Sequence, residues 1–430
     1  MDKLVIEGGL RLVGDVQISG SKNASLPVLA ATLLTDAQSC IQNVPGLDDI
    51  RTMSTLFQHL GVNVQVDGDE IIVDARHIST VEATYDIVRK MRASVLVLGP
   101  LLARFGRARV SLPGGCAIGA RPIDIHLKGL EAMGAHVVLE HGYVDVTAPA
   151  GGLRGARIIF DLPSVTGTEN LMMAAALARG DTVLENAAQE PEIIELAEAL
   201  TTMGAKISGA GTDRMLIEGQ DCLGPLLHTV GPDRIESGTF VAMAAMTQGD
   251  VVLRKVRADH LHSTIAQFMK AGCEISELKS ESKDEKYCDL RVRGPSQLRA
   301  LDVSTAPYPG FATDMQAQLL ACMAVADGTS HIEETIFENR FMHVLELLRM
   351  GADISMHGNL AVVKGVKSLS GAPVMATDLR ASASLVIAAL KAQGISEILR
   401  IYHLDRGYVK LEDKLTGLGA RIHRVTEKAN

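Results

Sequence analysis

Six copies of a short sequence pattern divide the chain into units of similar length. In each copy a helix-like run ends in a glycine, which is followed by a small residue and a strand-like stretch. The intervals between successive glycines are 73, 70, 68, 79 and 68 residues. Glycine at such a point is typical of a left-handed helix C-cap. The pattern predicts six copies of one supersecondary unit. The glycines are Gly61, Gly134, Gly204, Gly272, Gly351 and Gly419.

The sequence within each copy predicts the content of the unit. Ile50, Met53, Leu56 and Leu60 lie at helical spacing before Gly61,. Alternating runs such as NVQV and EIIVDA predict hairpin strands,. Segments such as LPVLAATLL and ENLMMAAALA are apolar nearly all round, which predicts buried helices,. Each unit is therefore predicted to run strand–helix–strand–helix–strand–strand, and the charged stretch SELKSESKDEKYC after Gly272 is predicted to be a hairpin loop.

The six units admit more than one arrangement. A propeller or an elongated solenoid is the default for a repeated sequence. Two buried helices per unit argue against a propeller. We therefore predict that three units close around their own helices to form one domain, and that the other three units form a second domain in the same way. The chain would then be an α/β protein with two domains of about 200 residues each.

Composition excludes several classes of function. The 430 residues include 42 Lys and Arg against 51 Asp and Glu, with 8 Phe, 6 Tyr and no Trp. Binding a nucleic acid requires a basic surface and aromatic side chains that stack on the bases. The composition therefore argues against a nucleic-acid-binding protein. The most apolar stretch, 93–103, is too short to cross a bilayer, and no secretory signal is visible,. Six cysteines without a C-x-x-C pair predict free thiols and a cytoplasmic location. They are Cys40, Cys116, Cys222, Cys273, Cys288 and Cys322.

One loop-like segment combines a thiol with a cation. No Walker loop, dinucleotide fingerprint or paired Cys/His metal motif is present, whereas a Ser-His-Asp triad stays open at this level,. The segment LPGGCAIGARPIDIH carries Cys116 and Arg121 among glycines and prolines. Such a loop is suited to closing over an anion. The alternative is a free cysteine in an ordinary surface turn.

Several helix starts carry cations. Lys22 and Asn23 precede the first buried helix. A lysine at a helix start is repelled by the positive end of the helix dipole, and an anion bound at this place would offset the repulsion. The alternative is a solvated lysine. Aspartates at such positions, Asp314 among them, are usually N-caps. Cations that converge as the repeats close would predict a substrate with several negative charges. The further candidate cations are Arg92, Arg234, Arg340, Arg380 and Arg406.

Four longer motifs carry a resemblance to a known family. They are LPGGCAIGARPIDIH, ENAAQEPEI, TAPYPGFATDMQAQ and ENRFMHVLELLRMGADI, between GGLRLVGDVQISGSKNASLP and HLDRGYVKLEDKL. On these motifs essentially the whole chain resembles the UDP-N-acetylglucosamine 1-carboxyvinyltransferases, enolpyruvyl transferases of the EPSP synthase superfamily. The resemblance implies a two-domain inverse α/β barrel, or prism, in which each domain has three βαβαββ repeats. It implies domains 1–21 with 231–430 and 22–230, the first segment packing with the C-terminal half, and an active site in the cleft between them.

The resemblance also implies an activity. These enzymes transfer the enolpyruvyl group of phosphoenolpyruvate to the 3-hydroxyl of UDP-N-acetylglucosamine and release phosphate by addition–elimination. The reaction is the first committed step of peptidoglycan synthesis and so serves cell wall, cell shape and cell division. No cofactor or metal is implied, and the partners are small anionic substrates and the covalent inhibitor fosfomycin, without nucleic acid or membrane insertion. The alternative is a catalytically idle paralogue that binds nucleotide sugar and regulates cell-wall synthesis.

The resemblance assigns roles to individual residues. Cys116 matches the proton donor that also forms a covalent adduct with phosphoenolpyruvate, and Asp314 matches the base that accepts the sugar proton. Lys22, Arg121 and Arg406 match residues at the phosphate of phosphoenolpyruvate, of which Lys22 and Arg406 are also counted as catalytic. Other residues matched to phosphoenolpyruvate are Asn23, Arg92, Cys116, and, around its carboxylate, Arg340 and Arg380.

A second set matches the nucleotide-sugar contacts. One departure occurs there, because family members often read Lys-Val-Ser-Val-Gly where this chain has Leu162 to Gly167, and Leu162 replaces the lysine. The matched residues are Asn23, Arg92, Arg121, Pro122, Ile123, Asp124, Ile125, Ser164, Val165, Gly167, Asp314 and Ile336.

Overall fold

The chain divides into two compact units. The computed structural model describes residues 2–112, 123–280, 282 and 284–426. By internal contacts, residues 20–112 and 123–231 form one unit, called here the N-terminal unit. Residues 2–19 and 232–426 belong to the other, the C-terminal unit. The family resemblance implies limits after residues 21 and 230, and the contacts within each unit divide the chain after Ser19 and Gly231.

The described strands are short. They are β1 Asp2–Glu7, β2 Val13–Gln17, β3 Gln38–Gln42, β4 Asn63–Asp67, β5 Glu70–Asp74, β6 Glu82–Ala83, β7 Arg107–Ser111, β8 His136–Glu140, β9 Tyr143–Thr147, β10 Arg157–Ile159, β11 Asp181–Glu185, β12 Lys206–Ser208, β13 Arg214–Glu218, β14 Leu227–Thr229, β15 Asp250–Val256, β16 Glu274–Lys279, β17 Cys288–Arg293, β18 Val303–Ser304, β19 Thr329–Glu333, β20 Asp353–His357, β21 Leu360–Lys364, β22 Pro373–Met375, β23 Ile395–Leu399 and β24 Arg421–Thr426.

Helices alternate with these strands. They are α1 Lys22–Ala31, α2 Asp48–Leu60, α3 Tyr85–Val88, α4 Leu98–Phe105, α5 Asp124–Ala132, α6 Val165–Ala175, α7 Pro191–Thr202, α8 Arg234–Met246, α9 His262–Lys270, α10 Gln316–Met323, α11 His343–Arg349, α12 Leu379–Lys391 and α13 Leu411–Gly417. Short 3₁₀ turns occupy Thr32–Leu34, Arg92–Val97, Ala258–Leu261, Thr313–Met315 and Ile401–His403.

The described residues form six four-stranded sheets with one shared connectivity. In the sheet ordered β10-β11-β13-β12, Ile158 pairs with Leu184 in parallel, and Leu184 pairs with Met215 antiparallel. In each of the six repeats the first strand thus lies parallel to the second, as a helical crossover requires, and the remaining strands are antiparallel,. This confirms the predicted strand–helix–strand–helix–strand–strand repeat. One detail was wrong, because residues 276–279 of the charged stretch belong to strand β16.

Three strands join sheets that are distant in sequence. β1 lies between β23 and β24, so the N-terminus completes the last repeat. β2 pairs with β15, and β14 pairs with β3. The N-terminal segment therefore packs with the C-terminal half, and the sheet of the first repeat takes its first strand, β14, from the end of the N-terminal unit.

Each unit has three buried helices at its centre. In the C-terminal unit α8, α10 and α12 pack against one another. In the N-terminal unit α1, α4 and α6 are likewise enclosed, and α6 packs against the other two. Nearly every residue of α8 and α12 is buried, whereas strands such as β13 alternate between buried and exposed positions. The helices therefore lie inside and the sheets face solvent, which confirms the predicted helix burial.

The six repeated glycines adopt the predicted backbone conformation. Their φ angles lie between +90° and +107°. At the end of α2 the Val62 N–H donates to the Phe57 carbonyl oxygen across Gly61, at 2.9 Å. This hydrogen bond closes the helix end as in a Schellman motif. Within the described ranges, no helix is both long and apolar enough to cross a bilayer.

Candidate functional site

The C-terminal unit holds a carboxylate between two guanidinium groups. Asp314 lies in the 3₁₀ turn that precedes α10. Its Oδ1 accepts a hydrogen bond from Arg340 Nη2 at 2.6 Å, and its Oδ2 accepts from Arg380 Nε at 3.1 Å and Nη2 at 2.8 Å. Both arginines are only 4% exposed, whereas the Asp314 side chain is 25% exposed. We call these three residues the arginine–aspartate cluster.

The two arginines decide the ionisation of Asp314. Burial acts to raise the pKa of this carboxyl group, but the charges and hydrogen bonds of Arg380 and Arg340 hold its pKa well below the usual range,. Asp314 is therefore ionised at neutral pH. In this arrangement it is a weak base.

Three helices fix the position of Arg380. Asp378 caps α12 by accepting from the Arg380 and Ala381 backbone N–H groups. The guanidinium also lies 3.4 Å from the buried Tyr408 hydroxyl, which is 2.9 Å from Thr239 Oγ1 on α8. Gln318 Nε2 on α10 donates to the same threonine oxygen at 3.2 Å. This network makes Arg380 a rigid donor.

Arg340 keeps an unused donor. Among the described residues, its Nη1 is buried and has no hydrogen-bond partner. Its guanidinium carbon lies 5.4 Å from the centroid of the Phe337 ring. An orphan donor on a buried charged group marks a place where an acceptor can bind.

A buried carboxylate organises the backbone beside Asp314. Glu334 is 3% exposed and accepts from the Thr313 hydroxyl at 2.8 Å and from the Ile336 N–H at 2.9 Å. It therefore ties the turn before Asp314 to the segment that contains the predicted ligand residue Ile336. Sequence reasoning missed Glu334, because an isolated glutamate at a strand end carries no signal of burial.

The predicted cations Arg406 and Arg234 also lie in this unit. Arg406 is half-buried beyond the turn Ile401–His403. After burial, its charge is the largest cause that lowers the pKa of His403, and Asp378 opposes it. The next residue, Gly407, packs against Leu379 at the start of α12, since a Cβ on this glycine would lie 2.6 Å from Leu379 Cδ1. Arg234 begins α8, and its guanidinium lies 5.9 Å from the Tyr308 ring centroid.

Lys22 in the N-terminal unit has an internal partner. It is the first residue of α1, and its Nζ lies 3.0 Å from Asp49 Oδ2 at the start of α2. The side chains are 12% and 4% exposed. The ion pair justifies a lysine at a helix start without a ligand, and sequence reasoning did not identify Asp49. Asn23, the next residue, is half-buried.

The two predicted nucleotide-sugar segments of this unit lie side by side. Ser164 caps α6 by accepting from the Gly167 N–H. A Cβ on Gly167 would lie 2.9 Å from Ser164 Oγ and 3.1 Å from Ile125 Cγ2, so a larger residue here would require those side chains to shift. Ile123, Ile125 and Val165 are half-buried, Asp124 is exposed, and Leu162 is 70% exposed.

A buried histidine joins these segments. Asn170 Oδ1 accepts from the Gly99 N–H, so its Nδ2 faces the Val95 carbonyl oxygen and His126 Nδ1, at 3.0 Å each. Burial lowers the pKa of His126 to about 4, with Arg92 contributing. The ring is therefore neutral, accepts at Nδ1 and donates from Nε2 to Thr166 Oγ1 at 3.3 Å,.

The prediction that helix-start aspartates act as caps was right at Asp233 and Asp378 and wrong at Asp314. Asp233 accepts from the Ile235 and Glu236 N–H groups. Asp314 makes no such cap, because its carboxylate faces the arginines instead.

Cys116, Arg121 and Pro122 lie outside the described residues, so their roles stay predictions. The other thiols differ in reactivity. Burial raises the pKa of Cys273 to about 12 and raises that of Cys322, and Cys222 is exposed. Within the described part of the chain, no three His, Cys, Asp or Glu side chains come together as metal ligands would.

Comparison with known proteins identifies the family. The family model described as EPSP synthase (3-phosphoshikimate 1-carboxyvinyltransferase) matches residues 6–415. The chain therefore belongs to this family of carboxyvinyl transferases.

The most similar relatives include proteins of Geobacter metallireducens and Trichlorobacter lovleyi, both named UDP-N-acetylglucosamine 1-carboxyvinyltransferase. They are 60% and 59% identical over 427 residues, which is 99% of this chain and 100% of each relative. Among solved structures, the enolpyruvyl transferase NikO from Streptomyces tendae has a TM-score of 0.87 at 25% identity, covering 99% of both chains. EPSP synthase from Acinetobacter baumannii has a TM-score of 0.79 at 18% identity, covers 99% of this chain and 100% of its own, and shares the fold.

Proposed function

We propose that the protein transfers the enolpyruvyl group of phosphoenolpyruvate to the 3-hydroxyl of UDP-N-acetylglucosamine and releases phosphate. The observation that carries the proposal is the buried guanidinium pair around Asp314, in a chain 60% identical across 99% of its length to a relative of that name. Both substrates are anions, and buried guanidinium groups are the donors that suit them.

The proposed reaction proceeds by addition and elimination. The sugar 3-hydroxyl gives its proton to Asp314 while its oxygen forms a bond to C2 of phosphoenolpyruvate. The π pair of the C2–C3 double bond takes a proton from the Cys116 thiol, which gives a tetrahedral phosphate ketal. The bond from C2 to the phosphate oxygen then breaks and phosphate leaves with the electron pair. A proton from C3 passes to the Cys116 thiolate that the addition left behind, and the C–H electron pair restores the double bond.

Charge complementarity supports the division of roles. Arg340 and Arg380 are planar donors for the planar carboxylate of phosphoenolpyruvate. Lys22, Arg121 and Arg406 serve its phosphate, and Arg92 with Asn23 contacts both substrates. The segments 121–125 and 164–167, with Ile336, hold the nucleotide sugar. The neighbouring packing of Ile125 and Gly167 supports this grouping.

The wider role follows from the product. An enolpyruvyl ether of a nucleotide sugar is a precursor of peptidoglycan, so the proposal places the protein in cell-wall synthesis and thus in cell shape and division. Its small nucleotide-bearing substrates favour a cytoplasmic location. The reaction as written needs no cofactor. Fosfomycin, an epoxide, would alkylate the Cys116 thiolate.

Phosphate release tests the proposal. Purified protein with both substrates should release phosphate in proportion to the nucleotide sugar consumed, and omission of either substrate should abolish the release. Nucleotide-sugar binding without phosphate release would overturn the proposal and support the catalytically idle alternative.

A further inference from the structure

The arginine–aspartate cluster contains a conflict between two of the proposed roles. The two guanidinium groups that are to receive the substrate carboxylate already hold the carboxylate of Asp314. The same contacts keep Asp314 ionised and weakly basic, although it is to accept a proton from the sugar. Both roles are compatible only if the contacts of Asp314 change during the reaction.

We propose that Asp314 occupies the substrate-carboxylate position in the ligand-free protein, and that the carboxylate of phosphoenolpyruvate displaces it. The displaced Asp314 is then the base. This inference rests on the proposed function and deepens it: Asp314 is an internal competitor whose release couples substrate binding to formation of the base.

The geometry favours movement of Asp314 rather than of the arginines. Arg380 is fixed by α12 and by the Tyr408 hydroxyl, and Arg340 is 4% exposed. Asp314 lies in a three-residue turn, its side chain makes no cap, and a quarter of it is exposed. A short rotatable side chain in an accessible turn is the part of the cluster that can move.

The hydrogen-bond inventory shows that Asp314 is an incomplete partner. It engages one nitrogen of Arg340 and two of Arg380, and Arg340 Nη1 stays unsatisfied within the described structure. A ligand carboxylate between the two forks can engage that nitrogen as well. Unlike Asp314, such a ligand is not constrained by a backbone turn.

The charges within the cluster favour the exchange. Its two guanidinium groups face one carboxylate, so a second carboxylate can pair with the remaining positive charge. Asp233, Tyr408 and His343 also act on the arginines, and Asp378 and Glu334 lie beside the cluster; burial keeps His343 neutral by lowering its pKa to about 4. Once a ligand carboxylate neutralises the arginines, Asp314 loses the interactions that favoured its charged form.

Removal of the internal competitor tests the exchange. The probes are 2-phosphoglycolate, which has a carboxylate and a phosphate but no double bond, and methyl phosphate, which lacks the carboxylate. Asp314→Asn should bind 2-phosphoglycolate at least about ten-fold more tightly than the unmodified protein, because the arginines lose their internal anion. Its affinity for methyl phosphate should change by less than about two-fold. Calorimetry measures both.

Matched variants separate exchange from a general charge effect. Asp314→Glu keeps a carboxylate and should not tighten 2-phosphoglycolate binding to the same extent. Asp302→Asn removes an exposed charge from the same unit and should leave both affinities unchanged. Asp314→Ala serves as a second charge-removing variant if the asparagine protein does not fold, and thermal melting checks folding.

The results that would overturn the exchange differ from those that would overturn the proposed function. Unchanged or weaker 2-phosphoglycolate binding in Asp314→Asn, or equal tightening of both probes, would overturn the exchange even if the unmodified protein releases phosphate. In steady state, Asp314→Asn should lower both KM for phosphoenolpyruvate and kcat. Failure of the unmodified protein to release phosphate would sink the proposed function, while the probe affinities would still measure the exchange.

Discussion

At the level of single residues, the chemistry of the site depends on ion pairs between residues that are distant in sequence. Asp314 lies 26 residues from Arg340 and 66 residues from Arg380, yet it bonds to both. Contacts over such separations depend on how the repeats pack. Asp49, Glu334 and the neutral His126 could not be identified from the sequence either. Their roles come from burial, which also depends on how the repeats pack.

The buried pair of Lys22 and Asp49 makes a testable contribution to stability. Lys22→Met removes a largely buried cation that lies 3.0 Å from the buried Asp49 carboxylate, so it should reduce the free energy of unfolding by more than about 1 kcal/mol,. The exposed pair of Arg51 and Asp48 is the control, and Arg51→Ala should cost less than about 1 kcal/mol,. Urea denaturation measures both. Equal small losses would show that the Lys22 pair is as weak as a surface pair.

We expect only one cysteine, Cys116, to react with fosfomycin. Cys273 and Cys322 are buried with raised pKa values, so they should not react with an epoxide,. Intact-mass spectrometry should show one fosfomycin adduct per chain, lost in Cys116→Ala and kept in Cys222→Ala, the matched change at an exposed thiol. An adduct that survives in Cys116→Ala would refute the assignment of Cys116.

At the scale of the element, hydrophobic periodicity and glycine position predicted the repeat well. Apolar helices and hairpin strands are local features, so sequence reveals them. The partners of β1, β2 and β14 lie far away in sequence, and no local pattern indicates them. The charged strand 276–279 was missed because exposed edge strands carry polar residues on both faces,.

The packing of α5 against α6 predicts a pH dependence of stability. The pKa of His126 is about 4 in the folded protein and about 6.5 in an unfolded chain,. As pH falls from 6.5 towards 4, the unfolded chain gains a proton that the folded protein does not. Stability is therefore lost in this window, by about 2 kcal/mol at pH 5 for this residue. His126→Gln should remove that share of the loss in urea denaturation between pH 7 and pH 5.

A surface histidine provides the control for this prediction. The exposed His136→Gln should leave the pH dependence as it is in the unmodified protein. If His126→Gln also left it unchanged, His126 would not be a buried neutral ring. A protonated His126 at pH 6 in nitrogen-15 NMR would contradict the assignment in the same way.

At the scale of the whole molecule, six sequence repeats account for two units with three sheets and three buried helices each. The repeat explains why helix starts meet within a unit: the packed helices α8, α10 and α12 place Asp233, Asp314 and Arg380 close enough to interact. Sequence reasoning gave the repeat and the resemblance gave the chemistry. The exchange at Asp314 depends on which anion the arginines hold in the folded chain, and no sequence pattern indicates that.

The fate of the hydrogens on C3 distinguishes enolpyruvyl transfer by addition and elimination from other routes. The reaction is run in deuterium oxide with both substrates, and mass spectrometry reads the isotopic composition of the product. Addition places a solvent deuteron on C3 and elimination removes one of three hydrogens, so the enolpyruvyl methylene of the product should contain deuterium. A product whose methylene keeps only its original hydrogens would refute addition and elimination, and the absence of an enolpyruvyl ether would refute enolpyruvyl transfer.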